Sequence, residues 1–187
     1  MNTRNSMHTL RKATASALLA TLLLVGCGGE NPTALLSSAK ESLLKHDHKT
    51  AVIQLKNALQ KDPQLAEARF LLAKALLEGS DPTGAEVELR KAKDLNYPAD
   101  EVVPLLARTL LMLGQPEKVT NELAKADLTT AAAKAALQTS IGQAYLMQGK
   151  PDKAEAAYAA SLAAEPGNAP ALIGEARLKA GRGDLPA

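Results

Sequence analysis

Few side chains in this 187-residue chain have the type and spacing to do chemistry. Cys27 is the only thiol, so no internal disulfide framework can form. His46 and His48 flank Asp47 and invite a metal reading, but two imidazoles in an exposed turn make an incomplete site. A solvated turn accounts for them better. Glu86 and Glu88 stand two apart on a helix and point to different sides, which suits surface charge and not a paired acid and base. No glycine-rich loop follows a strand, no cysteine pair could hold zinc, and no Ser-His-acid set is suggested. The expectation is a protein without catalytic residues, metal or cofactor. With 22 basic and 20 acidic residues, no Trp, one Phe and three Tyr, the chain also lacks the charge and stacking surface of a nucleic-acid binder.

Any function must then come from how elements are arranged. Ala and Leu supply about a third of the residues, which favours helices over a β-sandwich. From Asn31 onward the chain repeats. Ala39, Ala73, Ala107 and Gly142 stand 34, 34 and 35 apart. The same steps relate Ala51, Ala85, Val119 and Ala154, then Leu55, Leu89, Leu123 and Tyr158, then Ala58, Ala92, Ala126 and Ser161. Asn31-Pro32 and Asp81-Pro82 read as helix starts, and Gly114 and Gly149 as tight reversals between helices. Helices are expected near 33–45, 49–61, 66–78, 82–95, 100–113, 117–126, 131–148, 151–164 and 169–181, with Thr129 to Ala136 a continuous helix start.

This period and pattern resembles the tetratricopeptide repeat (TPR), clearest in Ile141-Gly142-x2-Tyr145, Ala154-x3-Tyr158 and Pro166. The resemblance implies an all-α, right-handed superhelical solenoid of about four and a half helix pairs, with units near 32–65, 66–99, 100–134, 135–168 and a partial 169–187. The usual aromatic at the start of each unit is absent. The fifth unit either caps the array or opens a longer one. First helices line the concave face in this architecture, so Lys40, Lys74, Arg108 and Arg177, with Gln143 in the fourth unit, should form a row. Leu36, Phe70, Pro104 and Ile173 precede that row by four residues; Leu43, Leu77, Leu111 and Leu146 follow it by three, beside Met112 and Met147. Together they describe an apolar groove with a cationic line, suited to an extended peptide with acidic groups. The same cations could instead serve solubility and the leucines the core.

Residues 1–29 carry Arg4, Arg11 and Lys12 and no acid, and Ala13 to Gly26 is a short apolar run. That pattern is a secretory signal peptide, the run being short of the roughly 20 apolar residues of a permanent span. Leu24-Val25-Gly26-Cys27 resembles the bacterial lipobox, which implies cleavage after residue 26 and a lipid on Cys27, followed by a short linker, 27–32. Three acyl chains would anchor the protein almost irreversibly, where one holds only marginally. Gly28, in place of the Asp that favours inner-membrane retention, points to the outer membrane facing the periplasm. Cleavage removes three of the 22 basic residues, leaving 19 against 20 acidic ones.

Ala51 to Pro63, AVIQLKNALQKDP, and Ala66 to Leu72, AEARFLL, are similar to the opening repeats of PrsT-type lipoproteins of the exosortase/PEP-CTERM system. The resemblance implies a non-catalytic, membrane-anchored scaffold whose partners are envelope proteins or peptides in exopolysaccharide export. Two other readings stay open: a TPR lipoprotein aiding pilus or outer-membrane protein assembly, and the front of an enzyme whose catalytic domain lies beyond Ala187.

Overall fold

The computed structural model describes residues 31–183. The expected signal peptide, Cys27 and the final Leu185-Pro186-Ala187 lie outside them. The described chain runs through α1 (Pro32–Leu44), α2 (His48–Lys61), α3 (Ala66–Glu78), α4 (Pro82–Asp94), α5 (Ala99–Met112), α6 (Pro116–Lys118, continued by a π-helical turn Val119–Leu123), α7 (Ala131–Met147), α8 (Pro151–Ala164) and α9 (Ala169–Arg182). No strand occurs among the described residues. Each element packs on its chain neighbour: α1 on α2, α3 on α4, α7 on α8, with α2–α3, α4–α5, α5–α7 and α8–α9 joining the pairs.

Local signals start the helices. The Asp47 carboxylate accepts the Thr50 amide at 3.1 Å and Asp81 that of Gly84 at 2.8 Å, each satisfying one of the donors a helix N-terminus leaves orphaned. Pro82, Pro116 and Pro151 occupy first-turn positions, where a missing amide hydrogen costs nothing. The ends of the first helices follow one rule. His46, Ser80, Gly114 and Gly149 have φ of 57°, 60°, 68° and 69°, and are spaced by the same 34, 34 and 35. The next amide in each case donates five residues back: Asp47 to Ser42, Asp81 to Leu76, Gln115 to Leu110 and Lys150 to Tyr145, all at 2.8–2.9 Å. This left-handed cap closes orphaned carbonyls. Asn96, φ 59°, ends α4 the same way, which accounts for Pro98 arriving one residue late in that unit.

The repeating columns are the core. Ala39, Ala73, Ala107, Ala51, Ala85, Val119, Ala154, Leu55 and Leu89 are all fully buried, and Leu123 and Tyr158 nearly so. Small residues allow the close helix approach, and the larger ones fill the space between pairs. Tyr158 makes this concrete. A Cβ on Gly142 would lie 2.6 Å from its ring, and one on Gly174 would be nearer still, so the ring is seated between two glycines of different helices.

The third unit departs from expectation. A regular helix over 117–126 does not form; the π turn ends at Leu123 and leaves Ala126 outside it, half-buried. Val119, fully buried, stands where the other units place Ala and opens the π turn. The helix start expected within Thr129 to Ala136 falls at Ala131, with Thr129 and Thr130 ahead of it. Asp100 accepts the Thr129 amide at 2.8 Å, the Thr129 hydroxyl at 2.6 Å and the Thr130 amide at 2.9 Å. Thr130 Oγ1 accepts the Ala133 amide, and α7 begins at Ala131.

Candidate peptide-binding groove

The first helices α3, α5 and α7, with the turn into α9, enclose a groove of about 830 Å³. Its position follows from the pairing: each first helix buries its small-residue column and leaves the opposite face open. Lys74, Arg108 and Gln143 of the expected row line it, together with Phe70, Pro104, Leu111 and Met112. The remaining expected residues stand elsewhere. Lys40 is held by Glu67 at 2.6 Å, and Leu36 packs in the core around Leu55 and Leu72. Leu77 packs against the central core and Leu146 against the C-terminal one. Met147 is exposed, as are Arg177 and Ile173 on α9. The continuous row expected from Lys40 to Arg177 is thus represented in the groove by its middle members.

Several groove residues were not legible as such. Glu101 places a carboxylate among the cations; its position 34 after Glu67, the partner of Lys40, was the available signal. Thr139 continues the column of Phe70 and Pro104, 35 residues after the proline, and Asn168 and Pro170 close the far end. Behind the wall, Tyr97 stacks on Phe70 with ring centroids 4.6 Å apart, and Lys74 Nζ lies 5.7 Å from the Phe70 centroid. Burial, with Glu101 and Glu67 adding to it, pushes the Tyr97 hydroxyl above its ordinary pKa. The stack fixes Phe70 and holds Lys74 beside it through cation–π attraction.

The far end is tied by hydroxyls. Thr139 Oγ1 lies 2.9 Å from Ser161 Oγ and donates to the Ala135 carbonyl or to Asn168 Oδ1, while Ser161 donates to the same carbonyl at 2.8 Å. Asn168 Oδ1 also accepts the Ala171 amide and so caps α9. This end of the groove is therefore preorganised by helix packing.

The two acids read as surface charge both hold ion pairs. Glu88 accepts from Arg69 at 2.7 Å and Lys91 at 2.9 Å, and Glu86 from Arg90 and Lys118. Arg69 also donates to the Pro63 carbonyl, binding the end of α2 to α4. The His46 and His48 rings stand 6.2 Å apart, and no group of three or more His, Cys, Asp or Glu able to hold a metal occurs among the described residues. None of the described helices is long and apolar enough to cross a membrane.

The chain is similar to solved structures that include the following three. MamA aligns with a TM-score of 0.70 at 24% identity, over 83% of this chain and 85% of that one. PilW, described as a widely conserved type IV pilus biogenesis factor, gives 0.67 at 23%, over 82% and 70%. YrrB, a TPR protein with an unusual peptide-binding site, gives 0.63 at 18%, over 82% and 79%. No protein-family model and no curated protein matches the chain. The fold is that of an all-α TPR solenoid: four helix pairs and a further first helix among the described residues.

Proposed function

We propose that this chain is a lipid-anchored interaction scaffold of the bacterial envelope, binding an extended protein segment in the α3–α5–α7 groove. The carrying observation is that groove: Lys74 and Arg108 beside Phe70, Pro104, Leu111 and Met112, in a volume of about 830 Å³. Apolar walls take up side chains of an extended peptide, and the two cations select acidic groups on it. Glu101 repels a second acid placed opposite it, which gives the ligand a direction. The role is binding without catalysis. The resemblance of residues 51–72 to exosortase-associated lipoproteins supports a place in exopolysaccharide export. Structural likeness to PilW supports the second reading, a part in pilus assembly. Partners crosslinked in the envelope distinguish the two.

The groove is tested by charge reversal. Lys74→Glu with Arg108→Glu is expected to weaken capture of the crosslinked partner by more than about tenfold, from roughly 1 kcal/mol per contact at such surface pairs, with unchanged circular dichroism. Capture should also fall as salt screens the pairs. Undiminished capture by the double variant would remove this groove as the binding site.

A further inference from the structure

The outer face of α2 differs from every other second helix. Lys49, Ile53 and Lys56 are spaced four and three apart and so share one face, opposite the buried Ala51, Leu55 and Ala58. Ile53 is 61% exposed. Among the described residues neither lysine forms an ion pair, although α4 shows that acids can be recruited: there Arg90 is taken by Glu86 and Glu122, and Lys91 by Glu88. Residues 44–61 hold four lysines and one acid, Asp47, whose carboxylate is engaged by the Thr50 amide. The same three positions read Thr83, Val87, Arg90 in the second unit, Glu117, Asn121, Ala124 in the third and Asp152, Ala156, Ala159 in the fourth. Among these equivalent second-helix positions, two lysines flanking an exposed β-branched residue occur in the unit nearest Cys27 alone.

We propose that this face of α2 docks onto an anionic phospholipid surface. The assignment rests on the anchoring reading for what brings a bilayer to this end of the chain. Four residues lie between Cys27 and Pro32, five steps with a reach of at most roughly 17 Å, so an anchor at Cys27 holds the first unit at the headgroups. Charge decides which face turns down: lysines near an anionic leaflet are attracted, and an isoleucine among them enters the headgroup boundary. Neither α2 nor α4 contributes a wall to the groove, so docking leaves it open.

Cys27 is the only thiol, so residues 27–187 can be coupled through it to a maleimide lipid without enzymatic acylation. The core needed for folding lies wholly within the compact unit 32–187. Amine acetylation read by mass spectrometry then reports each lysine on vesicles of phosphatidylglycerol in phosphatidylethanolamine, against pure phosphatidylcholine. Lys49 and Lys56 are expected to label about fivefold more slowly on the anionic vesicles, with Lys134 on α7 unchanged. Ile53→Gln, which alters an exposed side chain, should reduce that protection with circular dichroism intact. Equal labelling of Lys49 and Lys56 on both vesicles overturns the proposal. Protection by a lipid-free envelope extract in place of anionic vesicles also overturns it, and makes the face a protein-docking surface. Absence of acyl mass on Cys27 in cells is a separate result that defeats the anchoring reading and leaves the vesicle readout standing.

Discussion

Asp100 carries the irregular stretch of the third unit on one carboxylate. Its bonds from the Thr129 hydroxyl and amide, and then from Thr130, hold its pKa down from 3.8 to about 2. A carboxyl with a depressed folded pKa stabilises the protein above its unfolded pKa and loses that contribution as pH falls through the folded value. The melting-temperature difference between wild type and Asp100→Asn should therefore be constant above about pH 5 and shrink toward zero near pH 2. A difference independent of pH over that window would show that Asp100 acts only by filling space. Tyr158 and its two glycines were half legible: the 34-residue spacing put the ring in the column of Leu55, Leu89 and Leu123, but Gly174 as its second wall needed the packed helix α9.

Among the elements, the reversals between paired helices obey one backbone rule with two kinds of residue. Gly114 and Gly149 adopt positive φ without a Cβ penalty, whereas His46 and Ser80 adopt it at a cost of about 1 kcal/mol each. Ser80→Gly is expected to raise unfolding stability by up to about 1 kcal/mol, and Gly114→Ala to lower it by about 1 kcal/mol or more. Denaturant titration with unchanged slope would measure both. Stabilities that move the opposite way would mean these turns are not strained. The glycines announced this turn type; His46 and Ser80 did not, because their conformation is imposed by the hydrogen bond across the helix end. Helix ranges elsewhere were legible to within a residue or two, since Ala and Leu spacing, caps and prolines are local signals. α6 was not: its π turn, which opens at the buried Val119, left no local signal in the spacing.

For the whole molecule, the groove is a property of stacking. Phe70, Arg108 and Gln143 come from three helices, and α9 with Asn168 closes the end. Its electrostatics are mixed, with Glu101 among the cations, so a ligand in it would meet a pattern of charges and not a net charge. The chain's formal +2 also belongs in part to residues 1–26; from Cys27 onward it carries 19 basic and 20 acidic residues. If the anchoring reading is right, Cys27→Ser moves the protein from the membrane fraction to the soluble one. Unchanged fractionation, with no lipid label on the cysteine, would defeat it.

By itself the amino-acid order determined the helical class, the 34-residue period, the buried columns and most helix ends. These depend on propensity and on contacts repeated identically from unit to unit, which a single period exposes. Only the tertiary structure decided which cations share a groove. Lys40 is paired off with Glu67, Arg177 stands exposed on α9 outside the groove walls, and Lys74 and Arg108 remain in the groove. Equivalent positions have equal backbones but different neighbours, and the neighbour settles whether a charge is neutralised or left for a ligand.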